Sequence, residues 1–146
     1  MKVDSCIFCS IVSGLSKAEI IYQDSDFVAL LDKYPFSNGH SLVIPRKHYE
    51  DLLKMPKEEV GNLYFMVSII ASAISKALKS EGLNIGQNNG RAANQIIPHV
   101  HVHIIPRFKR DIMSGRWPSR HLANDLELHD ISDKIRSVLP TTNISG

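Results

Sequence analysis

Three of the chain's seven histidines, His99, His101 and His103, stand at alternate positions in one short run, with Val100, Val102 and Ile104 interleaved. No other feature constrains the fold as tightly. Successive side chains on a β-strand point to opposite faces, so positions i, i+2 and i+4 share a face. On a helix, at about 100° per residue, the same three would be spread over about 400° of arc and would not converge. The run is therefore expected to be a strand with an imidazole face and an aliphatic face, the latter made for burial by its β-branched residues. Pro98 and Pro106 are expected to bracket it, because proline cannot donate to a ladder.

From the residues alone the imidazole face has three readings. As a plain solvent face it would be expected to mix Lys, Thr and Glu among the histidines. As a zinc site it can use two histidines at i, i+2, but the third lies ~7 Å further along and rarely reaches the same ion. As a catalytic face it holds one imidazole as nucleophile, oriented by its neighbours. Imidazole suits that work because it is half neutral near pH ~6.5 and attacks without a separate strong base.

The other elements follow from pattern. Cys6 to Gly14 reads as a short helix that the glycine stops. Strands are expected over 18–23, 27–32 and 41–45, the first two as a hairpin, with Asn38-Gly39 as a turn before the third. Met55-Pro56 opens a long helix whose core face is Val60, Leu63, Tyr64, Val67, Ile70, Ala71, Ile74 and Leu78, and which Gly82 ends. Phe65, Met66 and Ile69 lie outside that face, so the helix needs a second partner, and a copy of itself gives a homodimer. Residues 83–90 begin as a strand and dissolve into a loop. Beyond Phe108 the pattern weakens, with Trp117-Pro118 as its landmark, a last helix over 131–139 and a loose tail. Strands with one long helix before the last two make an α+β fold: a mostly antiparallel five-stranded sheet, the long helix and a short N-terminal helix.

At 146 residues the chain fits one domain spanning 1–146. A net charge of +2 argues against dedicated nucleic-acid binding and is compatible with small anionic ligands. The N-terminus has no long apolar run, and the apolar stretch from Leu63 is broken by Ser68, Ser72, Ser75 and Lys76. Neither a signal peptide nor a membrane span is expected, which leaves the cytoplasm as the default location. Cys6 and Cys9 form a C-x-x-C pair with three readings: half of a zinc site, a redox pair, or two buried free thiols. A redox pair usually follows a strand, and none precedes Cys6.

His99-Val-His101-Val-His103-Ile-Ile resembles the signature of the histidine triad (HIT) family, three histidines alternating with hydrophobic residues. The likeness extends along residues 6–110, leaving 111–146 as a C-terminal extension. Cys6-Ile7-Phe8-Cys9, the block from Asp32 through Gly39-His40 to His48, and the Asn88 to Gln95 lead-in all resemble family blocks, in order. The resemblance implies a homodimeric HIT-like fold that binds nucleoside phosphates and cleaves at the α-phosphorus through a nucleotidyl-histidine. It implies a catalytic set of His101, His103, His40 and His99, with His101 as the nucleophile, its Nδ1–H held by an acceptor, His103 near the leaving group and His40 supporting the cluster. Asp32 would accept the ribose hydroxyls, Asn88 and Gln95 would contact phosphate, and Ile7, Phe8 and Leu30 would line the base pocket. Cys6, Cys9, His48 and His99 would hold one structural zinc per chain. The expected substrates are purine nucleoside phosphoramidates or dinucleoside polyphosphates; nucleotidyl transfer and a non-catalytic regulatory role are the alternatives. Two positions depart from the pattern: Asn94 replaces a usual Gly, and Ile96 replaces a usual Ser or Thr and removes a hydroxyl.

Overall fold

The computed structural model describes residues 5–114 and 119–140. Five strands, β1 (Ile20–Gln23), β2 (Phe27–Leu31), β3 (Ser41–Pro45), β4 (Gly82–Gly86) and β5 (Val102–Arg107), form one sheet in the order β1-β2-β3-β5-β4. Every pairing is antiparallel. The helices are α1 (Ile7–Val12), α2 (Lys57–Leu78), α3 (Lys109–Ser114) and α4 (Asp125–Arg136). This is the expected α+β architecture.

The sheet is covered on both faces, so β2 and β3 are buried along their whole length. Ala29, Leu31, Val43, Val100, Val102 and Ile104 pack with Leu63, Val67, Ile70 and Ile74 of α2. Val28, Leu30, Leu42 and Ile44 pack on the other face with Cys6 and Phe8 of the N-terminal segment. Strict alternation along each strand separates the two sets, as strand geometry requires.

Several expectations need correction. The regular strand begins only at Val102, so His99 and His101 precede the ladder although they keep its alternation. The cause is local. The His99 ring lies with Nε2 2.8 Å from the Pro45 carbonyl, where β3 ends, and Val100 donates its N–H to Tyr49 O at 2.8 Å. Pro106 lies inside β5, opposite Leu83. Its missing N–H is harmless because the β3–β5 pairing stops at Ser41–Ile104, and the Pro106 carbonyl accepts from Ser37 Oγ at 2.6 Å.

On α2, Met66 is buried at 1% exposure and Ile69 is half-buried, whereas Tyr64 is 39% and Phe65 59% exposed. The second partner is within the chain: Leu128 and Ile135 of α4 join the α2 side of the core. A helix packed against both a sheet and another helix buries a wider arc than a single-face pattern allows. By length and hydropathy alone α2 would pass for a membrane span, but its apolar residues build this core. It ends at Leu78, with Lys79 left-handed at φ 54°, and Gly82 opens β4 instead. The last helix starts at Asp125, capped by the Asn124 side chain on the Glu127 N–H, six residues before the expected 131. Trp117-Pro118 lies outside the described residues.

Candidate active site and metal centre

The sheet face opposite α2 carries both clusters. His101 Nδ1 lies 2.7 Å from the His99 carbonyl oxygen. A carbonyl only accepts, so Nδ1 carries the proton and the Nε2 lone pair is left for the cavity. His103 is set the opposite way. The Phe36 N–H donates to His40 Nδ1 at 3.0 Å, which puts the His40 proton on Nε2. That Nε2 lies 2.9 Å from His103 Nδ1, so His103 accepts there and carries its own proton on Nε2. Neighbouring imidazoles thus differ in polarity, His101 with a free lone pair and His103 with a free N–H. Burial pushes His40 and His103 down to about 4 and lowers His101, which keeps all three rings neutral near neutral pH.

His40 is placed by Gly39. At φ 94° glycine is free of strain, and a Cβ there would overlap Leu78 Cδ1 at the end of α2. The loop therefore presses against the helix and delivers His40, 1% exposed, beneath His103.

Asp32, at the end of β2, is nearly buried. Its Oδ1 accepts the Tyr34 N–H at 2.8 Å, and its Oδ2 lies 3.5 Å from His40 Nε2. Oδ2 also accepts from Arg120 Nη2 at 2.8 Å. Arg120 donates Nε–H to the Tyr34 carbonyl at 2.7 Å and stacks 4.7 Å from the Phe36 ring centre. The sequence reading did not single out Arg120, Tyr34 or Phe36. An exposed arginine has no sequence signal, and its carboxylate partner lies 88 positions earlier.

A cavity of about 260 Å³ brings together Ile7, Phe8, Asp32, Asn88, His101 and His103 with Arg120. A second, of about 520 Å³, shares His103, Asn88, Asn94, Ile96 and Arg120 as walls and extends over Phe36 and β4. A larger cavity, of about 650 Å³, lies around Glu50, Arg91 and Gln95 and has no histidine in its lining. Two expected site residues, Leu30 and Gln95, are not in the wall of the His101 cavity. Leu30 is buried in the layer with Phe8 and is not in the cavity wall. Gln95 uses its side chain in the loop: Oε1 accepts the Gly90 N–H at 2.7 Å, and Nε2 donates to the Glu50 and Ile97 carbonyls at 2.6 and 3.1 Å. Asn94 explains its own departure from the family pattern. Its φ is 66°, a left-handed conformation that glycine adopts freely and asparagine tolerates best among other residues.

The metal-ligand set converges as the C-x-x-C spacing and the two histidines require. One donor atom each from Cys6, Cys9, His48 and His99 lies within 4.8 Å of every other. His48 Nδ1 and His99 Nδ1 are 3.2 Å apart, and the Sγ–Nδ1 distances are 3.4 Å for Cys6–His99, 3.6 Å for Cys9–His99 and 3.2 Å for Cys9–His48. Tetrahedral zinc would set N···N near about 3.3 Å and S···N near about 3.6 Å. The Pro45 carbonyl holds the proton of His99 on Nε2, so Nδ1 offers its lone pair to the cluster. Burial, reinforced by Cys6, pushes the Cys9 thiol up to about 11, so a thiolate here needs a cation beside it. His48 Nε2 is buried without an acceptor among the described residues. The set fits zinc, and four protein ligands leave no open position. Phe8 separates the two clusters, its ring 5.6 Å from that of His99 and 5.1 Å from that of His101.

Comparisons with known proteins show what the chain is similar to. An adenylylsulfatase from Arabidopsis thaliana, HINT3, is 42% identical over 119 residues, which cover 82% of this chain and 59% of that protein. The adenosine 5'-monophosphoramidase hnt1 of Schizosaccharomyces pombe is 35% identical over 134 residues, 91% of this chain and 97% of that one. Among solved structures, a zinc-bound histidine triad family protein from Mycobacterium smegmatis superposes with a TM-score of 0.80 at 36% identity, covering 93% of this chain and 94% of that one. The HIT domain family model matches residues 14–110, and with the fold and the relatives in agreement the chain belongs to the histidine triad family.

Proposed function

We propose that the protein is a nucleotidyl hydrolase that cleaves at the α-phosphorus of purine nucleoside phosphoramidates or dinucleoside polyphosphates through a covalent nucleotidyl-histidine. The observation that carries the reading is the opposed polarity of His101 and His103 in one cavity with Asp32. In this reading His101 Nε2 attacks phosphorus and the bond to the leaving group breaks. The imidazolium so formed keeps its Nδ1–H on the His99 carbonyl, which stabilises the positive charge. His103 Nε2–H donates to the developing charge on the leaving side, and His40 holds that ring in place. Water then attacks phosphorus, the imidazole departs neutral, and a proton passes to solvent. Asp32 takes the ribose hydroxyls, while Ile7 and Phe8 face the base. Two relatives whose names record cleavage of adenylyl compounds support this class.

Zinc in the Cys6, Cys9, His48, His99 set would be structural, pinning the segment that precedes β5. The protein is also proposed to pair as a homodimer through the exposed Tyr64 and Phe65 of α2 and the β4 edge with its exposed Ile85.

Rapid-quench labelling tests the mechanism. A substrate labelled at the α-phosphorus should leave an acid-labile adduct on the wild type and none on His101→Ala, which should lose turnover while still binding nucleotide within about tenfold. Full activity of His101→Ala would overturn the proposal.

A further inference from the structure

We propose that Arg120 is the anion-recognising, specificity-determining residue of this site, favouring nucleotides whose leaving group is an oxyanion, such as sulfate or phosphate, over those that release an amine. The proposal rests on the hydrolase reading above. Among the described residues that line the His101 cavity, the only fixed charges are Asp32 and Arg120. A carboxylate alone would repel a substrate bearing one negative charge at phosphorus and more on its leaving group; with Arg120 present the lining is balanced.

The guanidinium is anchored without being used up. Nε donates to the Tyr34 carbonyl, one Nη2 proton goes to Asp32 Oδ2, and the plane rests on Phe36. Nη1 has no acceptor among the described residues, so donors remain for a ligand in a fork that matches an oxyanion. Each Asp32 oxygen also keeps a second lone pair, so the ribose and the arginine can share the carboxylate. Arg120 lines both cavities, as His103 does, so in this proposal it faces the leaving group at their junction. Its charge is also one of the influences holding His103 and His40 low. Ile96 stands in both linings as well and is 87% exposed. It brings no hydroxyl to the leaving group, so donors come from elsewhere on the wall: the His103 Nε2–H and, in this proposal, Arg120.

The two leaving groups ask for different help. An amine must take up a proton as the P–N bond breaks. Sulfate leaves with the P–O electron pair as a stable anion and needs no proton, only compensation of charge, while His101 Nε2 forms its bond to phosphorus and water later regenerates it. Removing Arg120 should therefore penalise the second class more.

The test measures kcat/KM of wild type, Arg120→Gln and Arg120→Lys on adenosine 5'-phosphosulfate and on adenosine 5'-phosphoramidate. Arg120→Gln should lower the phosphosulfate-to-phosphoramidate ratio at least fivefold, and Arg120→Lys should restore part of it by returning the charge without the fork. A smaller change in the ratio, with both substrates impaired alike, overturns the proposal and leaves Arg120 as a brace for Asp32. A rise in both rates also overturns it and makes Arg120 a cover over the ribose site. A wild type that cleaves the phosphoramidate alone refutes the anion preference and leaves the hydrolase reading standing. A wild type that forms no nucleotidyl adduct with either compound removes the hydrolase reading itself.

Discussion

Removing the metal should separate the fold from the chemistry. The four candidate ligands come from three places: Cys6 and Cys9 at α1, His48 after β3, and His99 before β5. Without an ion, the cluster holds two thiols and two neighbouring ring nitrogens, joined only by weak S–H···N hydrogen bonds. Zinc present at about a thousandfold over its dissociation constant stabilises the native state by about 4 kcal/mol. For a domain of this size that amounts to roughly 8–16 °C in Tm. Cys9→Ser removes the sulfur that approaches both histidines and should forfeit most of this gain. Protein purified without chelators should carry about one zinc per chain by elemental analysis, as a four-ligand structural site requires. Calorimetry of the holo protein, the chelated protein and Cys9→Ser then gives the shift. Absence of metal from protein that has never met a chelator would refute the site. Equal melting temperatures for loaded and stripped protein would refute the linkage argument even if metal were found.

Three further outcomes follow from the packing and protonation described above. Gly39→Ala forces a left-handed alanine and an overlap with Leu78, and should cost about 2–4 kcal/mol; a thermal melt within about 2 °C of wild type would contradict the tight approach of that loop. His40 and His103 sit at about 4 when folded against 6.5 otherwise, so between those values the unfolded chain binds more protons and stability falls as pH drops from 6.5 towards 4. The pair should account for roughly a few kcal/mol of that loss, and calorimetry should show a shallower pH slope in His103→Gln than in wild type; identical slopes would refute the neutral pair. Sedimentation at micromolar concentration should report a dimer that Phe65→Glu disrupts, and a stable wild-type monomer would refute the proposed pairing face.

The strands were legible because their signals are local. Alternation of His and Val sets the faces around β5, and the run from Phe27 to Leu31 is unbroken and apolar, as its burial on both faces requires. Tyr64 and Met66 were misassigned because the width of a helix's buried arc depends on how many elements pack on it. Here α4 added a partner to α2 from a stretch that reads as polar. The ladder's start at Val102 was equally hidden, since it turns on a ring–carbonyl contact between His99 and Pro45. The side chains of Gln95 and Leu30 are engaged in the loop and in the core, which motif matching does not report, because it gives position and not which way a side chain is used.

The same residue that offers its ring to the metal cluster offers its backbone oxygen to His101, so the two sites are joined at His99. Whether zinc loss reaches the chemistry depends on what else fixes that oxygen. The His99 N–H donates to the Ile97 carbonyl at 2.9 Å, and the next N–H, of Val100, donates to Tyr49 at 2.8 Å. The His99 ring is held a second time at Nε2 by Pro45, and Val100 is buried in the core at 1% exposure. The peptide that carries the oxygen is thus tied on both sides by bonds that do not involve the metal. Stripped protein that is still folded should lose activity by less than about tenfold, since a small misplacement of His101 weakens attack without removing the nucleophile. The measurement is kcat at a temperature below the melting point of the apo protein. Complete loss that zinc restores, with no change in fold, would mean the ion acts on the reaction itself.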